Sequence, residues 1–145
     1  MGVLYTIGYE RRAALELLAT LKRRGVERVI DVRQYPNSRR RGFSKSALAR
    51  LFGEAEIAYE SVPVLGSPPD LRKVCRLTGD AAAFFREYKR YLETQRDALL
   101  HLLDLVRAET CCLLCYERDA DVCHRRVVAE RIKELDGNSL RICHL

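Results

Sequence analysis

The chain lacks any long apolar run. Its stretches of consecutive hydrophobic residues are only a few residues long, far short of the roughly 20 that a membrane-spanning helix needs. No signal-peptide pattern opens it, so a cytoplasmic location is expected. It has no internal repeat, no linker and no low-complexity segment, which argues against a solenoid or a string of modules. Lysine is scarce, confined to Lys22, Lys45, Lys73, Lys89 and Lys133, so arginine dominates the 26 basic residues set against 20 acidic ones. Arginine is the better bidentate binder of phosphate and carboxylate. That bias fits an anionic partner, and it fits a high-GC or thermophilic genome equally. The net charge of +6 permits nucleic-acid binding without requiring it. Counted from Cys115, the phosphatase-loop spacing of cysteine, five residues and arginine is not met, because Asp121 lies six residues on.

What is present describes one globular domain over residues 1–145. Hydrophobic residues make up 48% and charged residues 32% of a length that can bury a core without staples. Six cysteines, at 75, 111, 112, 115, 123 and 143, are not expected to be a disulfide framework in a cytoplasmic protein. Cys111, Cys112 and Cys143 lie in apolar runs where a thiol packs as a small hydrophobe.

Strand-like and helical patterns alternate along the chain. Val3–Ile7, Val26–Val32, Ile57–Val62, Cys111–Tyr116 and Leu140–His144 read as strands. Helical spacing runs over Arg12–Arg24, from the Ser44 cap to about Phe52, over Asp80–Glu109 as the longest segment, and over Val122–Leu135. Gly66-Ser67-Pro68-Pro69 reads as a loop. The expectation is a three-layer α/β domain, with a mainly parallel sheet of about five strands covered by helices on both faces. Ligands in such sheets bind beyond the carboxyl ends of the strands.

Three clusters fall at those ends. Gly8, Tyr9 and Glu10 follow the first strand. Glu10 beside Asp31 would make a carboxylate pair for acid–base work or a metal, or else one cap and one surface ion pair. After the second strand come Asp31, Arg33, Tyr35, Ser38, Arg39, Arg40, Phe43 and the helix cap Ser44. These suit a phosphate, with the two aromatic rings able to stack on bases, or else form a solvated basic loop. The third cluster is Cys115-Tyr116-Glu117 running to Cys123-His124-Arg125-Arg126 at a helix start. There Cys123 reads as a nucleophile with His124 or Glu117 as base, as a metal ligand with Cys115 and His124, or as a small structural residue. The spacing matches no standard zinc pattern, so no metal or other cofactor is assigned.

The run Tyr5-Thr6-Ile7-Gly8-Tyr9-Glu10, then Asp31-Val32-Arg33 with Pro36, Ser38, Arg39, Gly42, Phe43 and Ser44, then Leu65-Gly66, then Leu114-Cys115-Tyr116-Glu117 to Cys123-His124-Arg125 resemble the successive motifs of one family. The family is the domain of unknown function 488. Relatives resemble Thr-Ile-Gly-His-Ser at the first motif, where this chain has Tyr9 and Glu10. The resemblance implies that these loops form one site and supplies no reaction.

The functional expectation is an enzyme acting on a phosphate-bearing substrate, either a nucleotide or a nucleic acid. Asp31, Glu117, Cys123 and His124 would be catalytic. Gly8, Tyr9, Glu10, Arg33, Ser38, Arg39, Arg40, Ser44 and Arg125 would hold the anion. The alternative is a non-catalytic nucleic-acid-binding module using the basic 33–45 loop. No membrane partner is expected.

Overall fold

A computed structural model describes residues 2–38 and 40–145; the Arg39 anion contact expected from sequence lies outside them. Five strands form one wholly parallel sheet: β1 (Val3–Gly8), β2 (Arg28–Asp31), β3 (Ala58–Ser61), β4 (Cys111–Cys115) and β5 (Arg141–His144), in the order β3-β2-β4-β1-β5. The helices are α1 (Ala14–Arg23), α2 (Lys45–Glu54), α3 (Pro69–Thr78), α4 (Ala81–Glu93), α5 (Arg96–Ala108) and α6 (His124–Leu135). Among the described residues, no helix is long and apolar enough to cross a membrane.

Side chains alternate across a strand, and that period divides the core in two. Tyr5, Ile7, Val29, Cys112 and Leu114 face Leu17 and Leu21 of α1 and Leu48 and Phe52 of α2. Leu4, Ile30, Cys111, Leu113 and Cys115 face Tyr88, Leu99 and Val128, which belong to α4, α5 and α6. The chain therefore leaves β1 and β2 toward one face and leaves β4, which lies between them, toward the other. Where connections diverge in this way, a crevice opens above the strand ends. Here it opens beyond Cys115.

Two details differ from the sequence expectation. The helical stretch over 80–109 is two helices, broken at Thr94 and Gln95, where Gln95 leaves the helical region (φ −108°, ψ 36°). The apolar stripe continues through the break, because both helices pack on the same core, so periodicity alone could not reveal it. An additional helix, α3, follows the proline loop; Pro69 opens it and Gly79, at φ 69°, stops it. It buries no residue fully, which removes the periodic contrast that marks a packed helix.

Ser44 caps α2 as expected, its Oγ accepting from the Ala47 amide at 3.2 Å. Ser44→Ala should cost about 1 kcal/mol. Urea denaturation would show this, and an unchanged midpoint would mean that the cap contributes nothing.

Candidate functional site

The site grows from the end of β4. Cys115 is its last residue and points into the α4–α6 layer. Glu117 follows in the loop, Asp119 caps a short 3-10 turn over Ala120–Val122, and Cys123 and His124 open α6. The turn folds the chain back, so residues eight and nine positions apart meet. Cys115 Sγ is 3.7 Å from both ring nitrogens of His124 and 3.8 Å from Glu117 Oε2. The ligating atoms of Cys115, Cys123 and His124 all lie within 4.8 Å of one another.

His124 is oriented from behind. Its Nε2 is 2.8 Å from the Val32 carbonyl just past β2. A carbonyl only accepts, so Nε2 carries the proton and Nδ1 is left to the sulfurs. The edge of the Tyr88 ring packs on the imidazole at 5.5 Å, and the Tyr88 hydroxyl is donated to the Leu65 carbonyl.

Burial acts against charge throughout this cluster. It opposes a Cys123 thiolate, but contacts with the Cys115 thiol and with His124 outweigh it and hold Cys123 well below the ordinary thiol range. The same contact with Cys123, reinforced by burial, pushes Cys115 well up. His124 rises despite burial, because Cys123 lies against it. Burial, with the neighbouring Cys123 charge, pushes Glu117 up to about 7. A carboxyl so placed exchanges protons near neutral pH.

Glu117 and His124 face a cavity of about 660 Å³, within the range of small-molecule sites. Its walls are largely apolar, with Phe84 and Phe85 of α4, Tyr35 after β2, and Arg72 and Arg76 on one side of α3. Tyr35 is 61% exposed and lies under the Arg72 guanidinium at 5.6 Å. Arg72 donates to Gln34 Oε1 at 2.6 Å, while its Nε has no hydrogen-bond partner among the described residues. Arg72 and Arg76 lie on α3, a helix that buries no residue fully and so leaves no periodic apolar stripe in the sequence. Their spacing of four residues, on a segment opened by Pro69 and closed by Gly79, was the available signal. Phe84 and Phe85 fall within the helical stretch expected over Asp80–Glu109.

Several expected site residues are structural instead. Asp31 and Arg33 form a buried ion pair at 2.6 Å, and Tyr59 donates to Asp31 Oδ2 at 2.6 Å. Burial and that carboxylate hold the Tyr59 phenol well above its ordinary range. The remaining Arg33 donors go to Asp31, the Tyr9 hydroxyl and the Phe43 carbonyl. Asp31 thus spends its oxygens on Arg33 and Tyr59, and the Arg33 donors are taken up by internal partners rather than turned toward the cavity. Arg125 is fully buried; it donates to Thr6 Oγ1 at 3.1 Å, the Arg118 carbonyl at 3.2 Å and the Glu117 carbonyl. It pins the loop after β4 and does not face the cavity.

The first and second clusters likewise turn inward. Glu10 accepts from the Arg118 amide at 3.0 Å, so it makes no pair with Asp31. Tyr9 is buried and stacks on Phe43 at 4.6 Å; Phe43 is 1% exposed and cannot receive a base. Arg40 lies over Phe43 and donates to the carbonyls of Tyr9 and Arg12. The hydroxyls of Ser38 and Ser44 accept from local amides. The space beside Gly8 is taken by the Glu117 carbonyl rather than by a ligand. Of the expected residues, Glu117, Cys123 and His124 come together, joined by Cys115.

No match to the chain is found among curated proteins or solved structures. The sequence profile of the domain of unknown function DUF488 matches residues 13–132, a stretch that contains the whole Cys115–His124 cluster and both cavity arginines. The chain belongs to the DUF488 family.

Proposed function

We propose that the protein is an enzyme acting on a phosphate-bearing substrate, a nucleotide or a nucleic-acid segment, bound in the cavity beyond β4. The observation that carries this reading is that one cavity presents both cations and a carboxyl able to exchange a proton near neutral pH. Arg72 and Arg76 lie on one wall and Glu117 and His124 on another, with aromatic surface at Tyr35, Phe84 and Phe85. Neither arginine pairs with a carboxylate among the described residues. Guanidinium groups suit a phosphate, and the rings suit the flat face of a base. Glu117 is the group placed to move a proton. Six free cysteines fit a cytoplasmic setting.

A non-catalytic nucleic-acid-binding module is less well supported. It relied on the 33–45 loop, where Phe43 is buried and Arg33 and Arg40 are committed to internal partners.

The test is calorimetric titration with nucleoside monophosphates and short single-stranded oligonucleotides, with phosphorus NMR to follow turnover. Arg72→Ala/Arg76→Ala should weaken binding at least about 10-fold, since a charge-assisted hydrogen bond contributes about 1.5–3 kcal/mol. Glu117→Gln should keep binding and slow turnover about 10²–10⁴-fold. Ligand affinity unchanged in the double arginine variant would sink the proposal, as would failure of every ligand to bind. Oligonucleotide binding without turnover would favour the module.

A further inference from the structure

We propose that Cys115, Cys123 and His124 form a three-ligand site for a divalent cation of the zinc class, its fourth position open toward Glu117 and the cavity. In a tetrahedral centre with metal–sulfur bonds of about 2.3 Å and metal–nitrogen bonds of about 2.05 Å, sulfur and nitrogen donors stand about 3.6 Å apart. Cys115 Sγ and His124 Nδ1 are 3.7 Å apart, and Cys123 completes a triangle whose donor atoms all lie within 4.8 Å.

The support behind the ligands fits as well. A metal-bound histidine usually donates its other ring N–H to a carboxylate or a backbone carbonyl, which fixes the ring and its tautomer. His124 Nε2 does so to Val32 at 2.8 Å, which leaves Nδ1, 3.7 Å from Cys115 Sγ, as the ring nitrogen free to ligate. Tyr88 packs edge-on against the same ring. Two thiolates and a neutral imidazole around a dication carry no net charge, which suits a pocket where Cys115 and Cys123 are 4% and 1% exposed. Soft sulfur donors select zinc-class ions over magnesium or calcium.

Three protein ligands with an open vertex are the pattern of catalytic rather than structural zinc. Glu117 Oε2 is 3.8 Å from Cys115 Sγ and outside the donor triangle, and Glu117 lines the cavity together with His124, so the open position is assigned to that side. The linear spacing hid this site, since eight residues separate the cysteines and the histidine directly follows the second. The 3-10 turn brings them together.

The inference does not depend on a phosphate-bearing substrate, and its test is separate. The full chain, reduced and stripped with a chelator, is titrated with Zn²⁺ alone and with Co²⁺ alone. One equivalent of Zn²⁺ should bind and raise Tm by mass action. Co²⁺ should give an intense sulfur-to-cobalt charge-transfer absorption with tetrahedral ligand-field bands. Cys115→Ser and Cys123→Ser should each weaken binding at least about 100-fold, more than loss of an outer-shell partner does, while Cys143→Ser should bind as the native chain does. If the serine variants fail to fold, the cobalt spectrum of the unaltered chain decides. Folded, reduced protein that takes up no Zn²⁺, or a cobalt spectrum without the sulfur band, overturns the proposal. So does undiminished affinity in folded Cys115→Ser and Cys123→Ser.

Discussion

Arg33→Ala is expected to lower folding stability by about 3–5 kcal/mol, the cost of leaving one partner of a buried ion pair uncompensated. Asp31 is completely buried, its two oxygens take hydrogen bonds from Arg33 and Tyr59, and no water-facing route could repay the lost charge. Arg33 also ties the loop after β2 to Tyr9 and to the Phe43 carbonyl, so the substitution frees three segments at once. Asp31→Asn should fall in the same direction. Its loss of activity would then follow the fraction of unfolded protein rather than a missing proton donor. Guanidinium denaturation monitored by circular dichroism measures both variants. A loss under about 1 kcal/mol for Arg33→Ala would mean that the pair is solvated in a way its burial does not indicate.

Gly8→Ala should be comparably damaging for a steric reason. A Cβ at Gly8 would sit 1.7 Å from the Glu117 carbonyl oxygen, 2.4 Å from its carbon and 2.9 Å from the Arg118 nitrogen. All three are backbone atoms, and that backbone cannot step aside. Arg125 holds the carbonyls of Glu117 and Arg118, and the Tyr9 amide donates to the Cys115 carbonyl at 3.1 Å. Relief would require β1 and β4 to part at the point where the site is built. The expected cost is about 3 kcal/mol, a fall in Tm of roughly 6–12 °C for a chain of this size. Gly53→Ala is the control. A Cβ there meets nothing within 4 Å in the last turn of α2, so alanine should stabilise by about 0.4–1 kcal/mol, chiefly by restricting the unfolded chain. Differential scanning calorimetry of the two variants should show opposite signs, and a Gly8→Ala Tm within 1–2 °C of the native value (about 0.5 kcal/mol) would contradict the packing argument.

These two residues show why the sequence reading found the right region and misjudged roles within it. Glycine after a strand signals a close approach of something, and at Gly8 the something is the protein's own backbone. Asp31, Arg33 and Tyr9 are chemically capable side chains at strand exits, and such residues serve equally well to lock loops together. Periodicity carries no information about which of two neighbouring polar groups spends its hydrogen bonds internally. Arg125 illustrates the same point, since it opens a helix as an anion ligand would but lies under the loop it holds. Gly66 belongs here too: a Cβ there would come within 2.2 Å of the Gln34 nitrogen, so that glycine lets the loop wall close against the β2 exit.

By itself the sequence determined the alternation of strands and helices, and therefore the parallel sheet with covered faces. Those are local properties, because hydrophobic period and turn residues act over a few positions. It also determined that chemically capable residues collect at the carboxyl edge, since strand ends and helix starts are visible in it. Tertiary structure alone decided which of them meet. The order β3-β2-β4-β1-β5 set β4 between strands whose connections leave on the opposite face. The turn over Ala120–Val122 then folded Cys123 and His124 onto Cys115 and Glu117. α3, with too little buried face to announce itself, brought Arg72 and Arg76 to the same cavity. Contacts between residues far apart in the chain, or across an irregular turn, depend on how elements pack. The clustering that suggests a sulfur–nitrogen metal centre, and the pairing of Asp31 with Arg33, are both of that kind.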